Sequence, residues 1–140
     1  MTGEISVGGA RPALPAATVR RIVQTILQRE KRRANVSVTF LGRDTMRRMN
    51  AEHLGHNWPT DVIAFALPGP NGALMGDVYV CRAVALRQAR RLNAPLRQEL
   101  IRLVVHGTLH VLGYDHPTGE GRTRSAMWKR QERYVRTLTG

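Results

Sequence analysis

Three of the chain's five histidines stand in one short run, His106-Gly107-Thr108-Leu109-His110-Val111-Leu112-Gly113-Tyr114-Asp115-His116. Residues four apart share a helix face, so His106 and His110 fall one turn above the other. Gly113 suits a left-handed helix cap, which would turn the chain back and bring His116 to the same point. Three converging neutral imidazoles leave the fourth tetrahedral position open, as in a catalytic rather than a structural zinc site. The expected ligands are therefore His106, His110 and His116, holding one Zn(2+) per chain. His106 and Asp115 are the candidate catalytic residues. Asp115, beside a ligand, could orient water or a ligand ring, and it could equally close an Asx-type turn.

A pair of surface histidines at this spacing is common by chance. Here, however, the preceding Leu100, Ile101, Leu103, Val104 and Val105 make the helix apolar nearly all round, as expected of a buried one. Buried imidazoles without acidic partners nearby are costly unless something coordinates them. No fourth protein ligand is evident, since Cys81, the lone cysteine, reads better as a small hydrophobe. Gly107 stands where zinc peptidases of the H-E-x-x-H type carry their glutamate base, which argues against peptide hydrolysis. Asp61 and Asp77 each begin a strand. Asp61 either caps loop amides or lines a cleft, and a structural role is favoured for Asp77. His53 and His56, three apart, read as surface or partner-facing groups rather than metal ligands.

The elements that must position the histidines follow from periodicity. Val19, Ile22, Val23, Ile26 and Leu27 hold helical spacing after Pro15, with arginines on the opposite face. Val36, Val38 and Phe40 alternate with Ser37 and Thr39 as in a half-buried strand, and Asp44 is a candidate N-cap for a short helix through Asn50. Thr60–Leu67 and Met75–Cys81 flank a Pro-Gly-Pro-Asn-Gly turn and predict an antiparallel hairpin. Helices are expected over Arg82–Leu92 and Leu96–Leu112. A last one carries Met127, Gln131, Tyr134, Val135 and Leu138 on one side. This is an α+β domain, with the histidine helix central and most buried.

At 140 residues the chain is expected to form a single domain over 1–140, with 1–12 a flexible lead-in. One cysteine excludes a disulfide framework and fits a reducing compartment. No leader-like or membrane-spanning run is present, so a soluble cytoplasmic protein is expected, without a membrane partner and acting as a monomer. The formal charge is +12, from 22 basic and 10 acidic residues, and every basic residue except Lys31 and Lys129 is arginine. So strong a field favours polyanions, and the guanidinium fork suits phosphate. Aromatic residues are too few for a base-stacking platform, so backbone contact is the expected mode.

The motif H-G-x-L-H-x-x-G-Y-D-H closely resembles that of the YbeY family of single-domain, metal-dependent endoribonucleases. Pro59-Thr60-Asp61-Val62-Ile63-Ala64-Phe65 resembles that family's P-T-D-V-L-S-F strand, Gly76-Asp77-Val78 its G-D-I strand start, and Met49-Asn50 its L-N. Order and spacing agree from Val36 to His116. The resemblance implies a mixed sheet of about four strands flanked by helices, with a zincin-like metal site on the central helix, and His106, His110 and His116 as zinc ligands. It also implies single-strand-specific cleavage of RNA, in ribosomal RNA maturation and ribosome quality control at the small ribosomal subunit. Two positions depart from the pattern. Leu54 stands where the family offers an arginine implicated in cleavage, and Ala64 replaces a serine. Either another arginine supplies that charge or cleavage is weak. The rival reading is accordingly a metal-stabilised RNA-binding assembly factor that does not cut, and a zinc peptidase is a third.

Overall fold

The helix that carries His106 and His110 has almost no polar side, and the rest of the chain is arranged to bury it. We describe residues 3–9, 13–115 and 125–139 of a computed structural model. In chain order the elements are β1 (Ile5–Gly8), α1 (Ala16–Glu30), β2 (Ala34–Leu41), α2 (Arg43–Leu54), β3 (Val62–Pro68), β4 (Leu74–Cys81), α3 (Arg82–Leu92), α4 (Leu96–Val111) and α5 (Ala126–Thr139). The strands form one mixed sheet in the order β1-β2-β4-β3. Its β1–β2 and β2–β4 pairs are parallel, and the β3–β4 hairpin is antiparallel, with Ala64 opposite Val78. An α+β domain is thus what the sequence pattern predicts and what the chain forms, and its four-stranded mixed sheet is the one the family resemblance implies.

Alternation decides which sheet face is apolar. Val36, Val38 and Phe40 of β2 and Val78 and Val80 of β4 point to one side, where α1 and α4 cover them in a common core. Leu100, Ile101 and Leu109 of α4 are among its largest fully buried side chains. Each contributes about 1.5–3 kcal/mol through burial. The helix lies so close to the hairpin that no side chain fits between them at two places. A Cβ on Gly107 would stand 2.4 Å from Val78 Cγ1, and one on Gly76 would stand 2.5 Å from Val111 Cγ1. On the opposite face α2 covers one end, where Met46 packs with Ile63, Cys81 and Val84. Cys81 is buried there as a small hydrophobe.

Three details differ from the sequence expectation. The first twelve residues carry no strand pattern, yet Ile5–Gly8 pairs in register with Val36–Thr39. Four residues are too few to show a period, and one covering partner is enough to order them. The helix expected over Asp44–Asn50 runs from Arg43 to Leu54 and ends at Gly55 in a left-handed conformation. Its N-cap is Gly42 without a side-chain hydrogen bond, so Asp44 sits inside the first turn, where its charge still suits the helix dipole. No helix among the described residues is long and apolar enough to cross a membrane.

Candidate metal centre

On α4 the rings of His106 and His110 stand 4.6 Å apart between centroids, at 71°. His106 is only 8% exposed, and His110 is half-buried. The helix ends one turn on in the manner that Gly113 predicts. Gly113 takes φ +98°, its N–H donates to the His110 carbonyl (3.0 Å), and the Tyr114 N–H donates to that of Leu109 (3.0 Å). This pair of bonds is a Schellman cap. The turn is held from outside as well. Arg32, just past α1, donates to the Leu112 carbonyl at 3.1 Å, and the Tyr114 hydroxyl donates to Glu30 at 2.5 Å. Asp115 follows, exposed, in the same turn. His116 lies outside the described residues. Among the described residues no group of three or more His, Cys, Asp or Glu side chains is placed to hold a metal.

The His106 ring is oriented from α5. Its Nδ1 lies 2.6 Å from Gln131 Oε1, and the Gln131 amide nitrogen donates to Glu132 Oε2 at 3.1 Å. Because the carboxylate takes the NH₂ end of the amide, the carbonyl end faces the ring. Nδ1 must then carry a proton, and in the neutral ring the lone pair lies on Nε2. A neutral imidazole fixed in that tautomer by an outer acceptor is the form in which histidine binds metal. The donor set therefore fits a divalent ion of the zinc type at His106 and His110. Burial of His106, which the sequence makes look costly, is met on one side by a neutral amide.

The network continues from Glu132. Arg102 spans it with bonds of 2.9 and 3.0 Å and reaches Glu99 at 2.8 Å. Burial pushes the Glu132 carboxyl up, but hydrogen bonds from Arg102 and Gln131 and the charge of Arg102 outweigh it and hold the group below its ordinary value. Both ends of this α4–α5 brace therefore stay charged at neutral pH.

Beside His106 opens a cleft of about 410 Å³, lined in part by Asp61, Gln88, Arg91, Arg102, Trp128 and Gln131. Asp61 fills both roles considered for it. It accepts from the Val62 N–H (2.8 Å) and from Gln88 (3.1 Å), and it lines the cleft. Asp77 is structural, accepting from the Ser37 hydroxyl at 2.6 Å. His53 packs edge-on against Phe65, and His56 stacks on Trp58 at 4.6 Å, away from the residues that line the cleft. Leu54, 50% exposed at the end of α2, is not among those residues either. Arg91 is, and it is the cleft's one described cation without a carboxylate partner, since Arg102 is taken by two.

Gln131 is the functional residue that motif reading passes over. Its signal is present: one amide interrupts the apolar stripe of Met127, Tyr134, Val135 and Leu138 on α5 and is buried with them. Which group it would meet, 25 positions back, is not written in the local pattern.

Comparison with known proteins points to one family. Residues 10–139 match the family model described as Endoribonuclease YbeY. A protein of that name from Chlorobium luteolum is 38% identical over 129 residues, which is 91% of this chain and 92% of the relative. Another, from Thermotoga maritima, is 31% identical over 118 residues, covering 84% and 77%. The solution structure of TM1509 from Thermotoga maritima aligns with a TM-score of 0.67 at 26% identity, over 96% of this chain and 88% of that one.

Proposed function

This chain belongs to the Endoribonuclease YbeY family, and we propose that it is a zinc-dependent endoribonuclease that cuts single-stranded RNA during ribosomal RNA maturation and ribosome quality control. The observation that carries this reading is His106, its Nδ1 held by Gln131 so that the neutral ring would coordinate through Nε2, one turn from His110 and on the wall of a cleft. In the proposal His116 completes the ligand set. A divalent ion held by these three histidines would supply Lewis-acid chemistry towards water and a phosphoryl oxygen.

The chain's own residues do the rest. Gln131, itself held by Glu132, keeps the His106 ring from turning. Arg91 holds a phosphate oxygen in the cleft by charge and paired donors, the part left open by Leu54 at the end of α2. Trp128 and Leu103 give the cleft an apolar wall against which a base can rest. Asp115, exposed beside the last proposed ligand, is assigned to orienting water or that ligand. The α4–β4 packing supports this chemistry over peptide hydrolysis. A side chain at Gly107 would meet Val78 and Val62, so a glutamate base has no room there.

Elemental analysis of purified protein is expected to give about one zinc per chain, and His110→Ala to lose both the metal and the cutting of unstructured ribosomal RNA. Absence of any transition metal would end this reading. Exposed Leu54 favours one alternative, an assembly factor that works at the small ribosomal subunit by binding alone. Protein that holds zinc and binds RNA in a salt-dependent way, yet leaves it intact, would establish that role instead.

A further inference from the structure

A second cleft, of about 330 Å³, lies between the start of α2 and the outer side of α3, and Arg43, Arg82, Arg87 and Arg90 line it. No carboxylate is among its lining residues. The three ion pairs formed among the described residues involve Arg102 and Arg130 and none of these four. Four exposed guanidiniums in one concavity repel one another, and low-dielectric walls sharpen the field they make. Its lining is partly apolar, from Ala83, Val84 and Leu86, the kind of surface along which arginine stems pack. A lone exposed arginine needs no explanation, but four in one concavity without an ion pair among the described residues suit an anion with several charges.

Helical periodicity relates this cleft to the first. Arg82, Leu86, Arg87 and Arg90 occupy one side of α3, whereas Gln88, Arg91 and Leu92 line the His106 cleft from roughly the opposite side. The same helix therefore separates an uncompensated cationic groove from the proposed reaction site, and a helix with its side chains is about 10–12 Å across. We infer that the α2–α3 arginine cleft is a second binding site for the RNA backbone, so that one strand lies across α3 with phosphates in both clefts. This rests on the nuclease reading for its occupant, but binding and cutting are read separately.

The test measures affinity against salt for an unstructured RNA of about 20 nucleotides and one of about 4, in the full chain. The variant Arg82→Gln/Arg87→Gln/Arg90→Gln is compared with Lys129→Gln/Arg133→Gln/Arg136→Gln. The second set removes the same charge from α5, beside Glu132. On a single strand the slope of log K against log salt changes by about 0.7 for each phosphate contact. The α3 variant is expected to lose about 2 from the slope for the long RNA, with more than a tenfold loss of affinity at low salt, while the short RNA changes little. The α5 variant should move both far less. Equal losses from the two variants would reduce the cleft to part of a diffuse field and overturn the inference. An unchanged long-RNA slope accompanied by lost binding to polyglutamate would assign the cleft to an acidic protein instead. If wild-type protein cuts nothing but the α3 slope falls as expected, the second site stands and the nuclease reading fails.

Discussion

The Glu30 carboxylate receives hydroxyl hydrogen bonds from Tyr114 (2.5 Å) and Tyr134 (2.6 Å) and the Arg130 guanidinium at 2.9 Å. It thereby ties the end of α1 to α5 and to the turn that leads from α4 to Asp115. Burial pushes this carboxyl up, but the two tyrosine bonds and the charge and hydrogen bond of Arg130 prevail and hold it below the ordinary range. A group that binds protons less readily folded than unfolded stabilises the fold above its unfolded value, about 4.3, and that support is lost as pH falls through the lowered native value. Glu30→Gln is therefore expected to be less stable than wild type at pH 7 and to have a flatter stability profile between about pH 5 and 2. Urea midpoints across that range would show it, and parallel profiles would refute it. The sequence shows Glu30 only as an acid at the end of a basic helix. Its partners lie 84, 100 and 104 positions away, beyond what spacing can reveal.

Among the elements, α4 depends most on close approach. Gly107→Ala would place a methyl 2.4 Å from Val78 Cγ1, and helix or strand must give way. Overpacking of this kind costs about 1–3 kcal/mol, against the small gain in helix propensity that alanine brings. A fall of several degrees in the thermal midpoint is the expected result, and an unchanged midpoint would mean that the interface is looser than these distances. Long periodic elements are legible in the chain because their own burial pattern defines them. The eleven-residue α3, α1, α4 and the β3–β4 hairpin all fall where apolar spacing predicts. Pairing between distant segments is not legible in that way. Nothing local states that β1 and β4 flank β2 in parallel, because the crossover helices, not the strands, make that arrangement. The candidate site divides likewise: the histidines are explicit, whereas Gln131 and Arg91 emerge only when α3 and α5 are docked on α4, and the arginine cleft only where α2 meets α3.

For the whole molecule, the charge that suits RNA also works against compactness. A formal +12 is carried with only Arg102 and Arg130 in ion pairs among the described residues, so most of the positive charge is unpaired on the surface. Such self-repulsion destabilises a folded state, and salt relieves it by screening. Between about 0.1 and 1 M NaCl the Debye length falls from about 10 to 3 Å, which screens exposed charges from one another. The Arg102–Glu132 and Arg130–Glu30 pairs are partly buried and are screened less. Repulsion should thus weaken more than attraction, and the thermal midpoint should rise across that range by roughly 2–8 °C, the equivalent of about 1 kcal/mol. Arg82→Gln/Arg87→Gln/Arg90→Gln removes three like charges from one concavity, so it should be more stable than wild type at low salt and gain less from added NaCl. A midpoint that falls with salt would show that the few ion pairs outweigh the repulsion. It would also mean that the arginine cleft is less strained by its own charge than its lining residues imply.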